Sequence, residues 1–157
     1  MSRPIISGRY ALGPFRDAFG HCGATADLFA QVTANAQGSV KLPVDLLASA
    51  VNELLEWSFA CPAVTDNGHL LLEVIEEGQR LRLLLSLPVD AELAADTTRR
   101  LQPVSAEQAR DALLALVEHD RADAQRWLGL HWLQAEFGPL HAGVEDGLLT
   151  LQLELQP

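Results

Sequence analysis

Two runs of leucine in alternate positions limit what this chain can become. Leu81, Leu83, Leu85 and Leu87 interleave with Arg80, Arg82, Leu84 and Ser86. Near the other end, Leu149, Leu151, Leu153 and Leu155 interleave with Thr150, Gln152, Glu154 and Gln156. A period of two is that of a strand with one face in a core and the other toward water. Each run sits in a hairpin. Leu70 to Ile75 precedes the first across Glu76-Glu77-Gly78-Gln79, and Asp146-Gly147 is a strong two-residue turn signal before the second. The helical pattern between them, from Asp90 to Phe137, excludes a simple βαβ alternation. The expected class is α+β: a two-layer α/β sandwich with a mixed, largely antiparallel sheet and helices on one face.

The helices carry their own signals. Pro43 suits a first turn. Behind it Leu46, Leu47, Ala50, Val51, Leu54, Leu55 and Phe59 recur at three- and four-residue spacing, with Asp45, Ser49, Asn52 and Glu56 opposite and Pro62 as the stop. From Pro14 to about Ala36 the pattern is weaker, because Gly20 and Gly23 each cost roughly 1 kcal/mol in a helix interior. Pro4 to Leu12 reads as an edge strand or an extended arm. Asp90, Glu92 and Asp96 form an acidic helix start that favours the dipole. Ser105-Ala106-Glu107-Gln108 reads as a capping box, with Ala109, Ala112, Leu113, Leu116 and Val117 as the buried stripe behind it. A last helix from about Ala122 to Phe137 stops at Gly138 and Pro139.

At 157 residues the chain fits one domain, 1–157. Its net charge is -10, with eleven Lys and Arg thinly spread, which argues against nucleic acid and against an anionic membrane surface. A basic protein partner stays open. No apolar run approaches the roughly 20 residues of a membrane span, and no apolar stretch follows the first residues as in a signal peptide, so the expected location is cytoplasmic. Cys22 and Cys61 lack CxxC spacing and read as buried small hydrophobes. The five histidines show no i,i+4 pair of the zinc-site kind.

Three stretches carry a resemblance. Glu53 and Trp57 lie one turn apart on the first long helix, so both project from one face. Leu85-Ser86-Leu87-Pro88-Val89-Asp90 ends the first hairpin, and Trp127-Leu128-Gly129-Leu130 lies in the last helix. In order and spacing, residues 40–155 resemble the GHKL ATPase domain of histidine kinases and anti-sigma-factor serine kinases, with 1–39 as an N-terminal arm and helix. The resemblance implies ATP and Mg²⁺ held between the helices. It places Glu53 at an acidic general-base position and Trp57 where the family has a magnesium-binding asparagine. Indole offers an N–H donor and no lone pair for a metal, which leaves Asn52 or Glu56 as the only substitutes. Ser86 falls near the family's adenine-binding aspartate with no glycine after it, and Asp90 would need a four-residue shift past the strand. Gly129 and Leu130 match a glycine-rich phosphate loop, but Trp127 replaces the preceding glycine.

The implied site is a vestigial pocket of Asn52, Glu53, Trp57, Ser86, Pro88, Trp127 and Gly129, with Trp57 and Trp127 filling it. The expectation is a non-catalytic signalling or regulatory module with no cofactor and no metal, which binds a protein partner and has a homodimer as a candidate state. The alternative is an active serine/threonine kinase of the anti-sigma type, with ATP and Mg²⁺ bound and Glu53 as base. A third reading is a small-molecule sensor in the emptied cavity. Without the resemblance, Glu53 is a surface carboxylate and the tryptophans are core or interface anchors.

Overall fold

The structure, a computed structural model, describes residues 1–36, 38, 41–61, 67–102, 105–119 and 122–156, with the backbone alone for 119 and 122–125. Pro62 lies outside them. The chain opens with strand β1 (Ser2–Ala11), a short helix α1 (Leu12–Arg16) and two long helices, α2 (Gly20–Ala36) and α3 (Val44–Ala60). A hairpin follows, β2 (His69–Glu77) and β3 (Arg80–Pro88). Three helices come next: α4 (Ala91–Arg100), α5 (Ala106–His119) and α6 (Ala122–Phe137). The hairpin of β4 (Leu140–Glu145) and β5 (Leu148–Leu155) closes the chain. This is the α+β sandwich expected. The sheet order is β1-β2-β3-β5-β4, and every pairing in it is antiparallel. The N-terminal segment is the edge strand of the two alternatives.

The two leucine runs are neighbours in that sheet. Leu81 stands opposite Leu155, Leu83 opposite Leu153, Leu85 opposite Leu151 and Leu87 opposite Leu149, and all eight are fully buried. Burying one such side chain is worth about 1.5–3 kcal/mol, so this double ladder is the main reason the sheet holds its register. Val74, Leu72 and Leu70 continue the face on β2. Leu47, Val51, Leu54 and Leu55 of α3 and Leu130 and Leu133 of α6 join the same core. The turns are tighter than the sequence suggests. The strands of the first hairpin run to Glu77 and from Arg80, leaving Gly78-Gln79 with Gly78 at φ +61, a conformation only glycine adopts freely. In the second, Asp146 and Gly147 both have positive φ, as a type I′ turn requires.

Two expectations about the helices need correction. The α5 stripe is only partly covered: Ala109 is buried, Ala112, Leu113 and Leu116 are half-buried, and Val117 is exposed together with Leu114. The reason is that α5 packs chiefly on α6 rather than on the sheet. Asp96 is not part of an acidic helix start. It lies in the second turn of α4 and pairs with Arg99 and Arg100. Asp90 and Glu92 do occupy that start, and Asp90 Oδ1 accepts the Leu93 amide at 2.7 Å. The capping box is formed as read, with Ser105 N donating to Gln108 Oε1 at 3.0 Å and Gln108 N to Ser105 Oγ at 3.2 Å.

Candidate functional site

Helices α3 and α6 cross over the sheet, and their contact is where the marked residues meet. Glu53 and Trp57 project from α3 toward α6, as their one-turn spacing requires. On α6, Trp127 and Gly129 face them. The Trp57 and Trp127 rings lie with centroids 6.0 Å apart and planes inclined by 51°, and both residues are buried. A Cβ placed on Gly129 would collide with Glu53 Oε2 and stand 3.1 Å from Glu53 Cδ. Gly129 therefore gives room to the carboxyl group of α3. It does so from the interior of an unbroken helix, so its amide is not at a free helix start.

The tryptophan pair separates two cavities. One, of about 380 Å³, is bordered by Phe19, Glu53, Glu56, Trp57, Arg126 and Gly129. The other, of about 610 Å³, lies between α4 and the first turns of α6 and is bordered by Asp90, Asp96, Arg99, Arg100 and Trp127, among others. Arg126 borders both. The Arg100 guanidinium lies 4.8 Å from the Trp127 ring centroid, a cation–π distance, and that of Arg126 lies 6.0 Å from it.

Charge in the first cavity is unbalanced. Burial, and then the charge of Glu56, push the Glu53 carboxyl above its ordinary value of 4.5. Glu56 is held by its own neighbour, since Asn52 Nδ2 donates to Glu56 Oε1 at 2.7 Å. Asn52 and Glu56 thus satisfy each other. The Trp57 indole N–H is buried without a partner among the described residues. Further along α6, His131 is held below its ordinary value by burial first and the Arg100 charge second.

Not every marked residue joins this cluster. Ser86 and Pro88 occupy the alternate positions of β3, on the sheet face opposite the buried leucines, although Ser86 is itself buried. Ser86 Oγ lies 2.9 Å from Thr150 Oγ1 of β5, and Pro88 pairs with Leu148. The period-two rule that buries Leu85 and Leu87 turns Ser86 away from α3 and α6. Asp90, set aside in the sequence because it lies past the strand, does lie past it and borders the larger cavity. Arg99, Arg100 and Arg126 went unmarked, because three arginines split between two helices 26 residues apart leave no spacing signal. Their only trace is their sign in an acidic chain. Among the described residues no group of three His, Cys, Asp or Glu side chains is arranged for a metal ion, and no helix is long and apolar enough to cross a membrane.

A scan against protein-family models gives no match, and a search of curated proteins gives none either.

Proposed function

We propose that the chain is a degenerate GHKL-like domain, a non-catalytic signalling or regulatory module that works by binding a protein partner in the cytoplasm. The observation that carries this reading is the Trp57–Trp127 contact between α3 and α6, where the resemblance would put metal and phosphates. The residues present fit Mg²⁺ and ATP poorly. An indole stands at the asparagine position, Asn52 and Glu56 are engaged with each other, Gly129 is spent on Glu53, and Ser86 is on the far face of the sheet. The element order of helices, hairpin, helices and hairpin also supports the resemblance. Contact with another protein is the use such an altered scaffold retains. The net charge of -10 favours a partner with a basic surface and disfavours nucleic acid.

The test separates metal-dependent nucleotide handling from simple anion binding. Thermal shift is measured with ATP, with and without Mg²⁺, alongside ADP release. The expected result is no Mg²⁺-dependent rise in midpoint and no ADP above the protein-free rate, since a ligand that binds the fold must raise the midpoint. A Mg²⁺-dependent shift that Glu53→Gln abolishes would reverse the reading in favour of the kinase alternative. Partner binding is tested by capture with the intact chain, with a Trp57→Ala, Trp127→Ala pair as the comparison.

A further inference from the structure

We propose that the cleft between α4 and α6 is a binding site for a phosphomonoester, gripped by Arg126 together with Arg99 and Arg100 beside Trp127. The proposal stands apart from the degenerate-ATPase reading, since it needs neither a metal nor Glu53. It starts from charge. The chain holds eleven Lys and Arg against 21 Asp and Glu, and three of the eleven border this one cavity of about 610 Å³. Three carboxylates, Asp90, Glu92 and Asp96, border it too, so the lining is balanced in charge within a chain of net charge -10.

The donors in the cleft exceed what the described residues use. A guanidinium carries five N–H donors in a planar fork matched to phosphate oxygens. Asp96 takes one donor from Arg99 and the Nε of Arg100, and among the described residues neither Nη group of Arg100 has an acceptor. Arg126 makes no ion pair among the described residues and stands beside the Trp127 ring. The acidic residues of the wall are mostly engaged. Asp90 Oδ1 is bound to the Leu93 amide and Asp96 to the two arginines, which leaves Glu92 in the cleft, and Glu53 and Glu56 beyond Arg126, as competing carboxylates. The Arg99–Asp96 pair is largely solvent-exposed on the arginine side, and pairs of that kind are worth only about 0–1 kcal/mol. An incoming dianion can therefore take Arg99 from Asp96 at little cost in pairing energy. Arg100, laid against the indole, is pre-oriented and loses less freedom on binding. The cleft is larger than an inorganic phosphate fills, which favours an ester whose carrier occupies the rest.

The carrier is either a phosphorylated side chain or a nucleotide, and the probes distinguish them. Calorimetry at fixed ionic strength without Mg²⁺ uses inorganic phosphate, O-phosphoserine and AMP. Saturable binding is expected, weakened about tenfold by Arg126→Gln, as loss of a charge-assisted contact predicts. Arg126→Lys should restore part of it, and Glu92→Gln should strengthen it. Arg80→Gln, on a strand end away from the cleft, should leave it unchanged. O-phosphoserine above phosphate and AMP assigns a side-chain ligand, and AMP above both assigns a nucleotide. The proposal is overturned if none of the three saturates by roughly 10 mM, the weak limit of specific binding. It is also overturned if Arg80→Gln weakens binding as much as Arg126→Gln, or if Glu92→Gln fails to strengthen it. The Glu92 variant adds binding rather than removing it, so a folding defect cannot imitate its effect.

Discussion

Glu53 is the residue where conformation and charge pull against each other. Its carboxyl group is pressed between α3 and α6, and the missing side chain of Gly129 is what leaves it space. Burial and the nearby Glu56 raise its pKa, so the folded protein holds the proton more tightly than the unfolded chain does. At acid pH both states are protonated and the shift contributes nothing. As the pH climbs past the ordinary carboxyl value of 4.5, the unfolded chain ionises first, and stability is lost through the folded pKa. Glu53→Gln is therefore expected to be more stable than the parent at pH 7, with the gain shrinking to nothing toward pH 3. Urea unfolding of both proteins across that range checks it, and a gain that grows on acidification would contradict the account. His131 acts in a separate window with the opposite dependence. It is held neutral by burial, so its contribution is present above the ordinary value of 6.5 and is lost as the pH falls below it.

At the scale of elements, α4 shows how a local signal and a distant consequence join. Asp90 closes the helix start by accepting the Leu93 amide, and the same residue forms a wall of the α4–α6 cleft. Asp90→Ala should cost about 1 kcal/mol of stability, the usual penalty for losing such a cap. Thermal unfolding measures it, and a neutral outcome would mean that the helix is held by its packing alone. The capping box of α5, the glycine turns and the leucine alternation were all legible in the sequence, because each depends on a few adjacent residues. The burial of α5 was not. Val117 reads as a core residue by its spacing, yet how far a helix is covered depends on what it packs against, and α5 packs chiefly on α6. The candidate site was half legible for the same reason. Glu53 with Trp57, and Trp127 with Gly129, are near neighbours in sequence and came together as marked. Ser86 obeys a strand rule that puts it on the other face, and the arginines of the cleft meet only through tertiary folding.

For the molecule as a whole, the main core cluster of the described residues includes both thiols. Cys22 on α2 and Cys61 after α3 are free and buried. Burial pushes their pKa values up to about 11 and about 12, so the reactive thiolate is scarce near neutral pH. Both should react with a disulfide reagent only when the fold opens. Labelling rates at pH 8 should then follow global unfolding in denaturant, and a thiol that labels at the rate of a free cysteine would show a local opening instead.

Among the described residues, strand β1 pairs with β2 alone, with Ser2 opposite Glu77 and Ala11 opposite His69. During synthesis the first ten residues must wait, unpaired, until more than sixty others have left the ribosome. Ile5, Ile6 and Tyr10 are meanwhile without the core they later pack against. Closing so long a loop delays folding more than it weakens the finished protein. The register shift between Pro4 and Ile6 and the charges of Arg3 and Arg9 meanwhile discourage pairing with strangers.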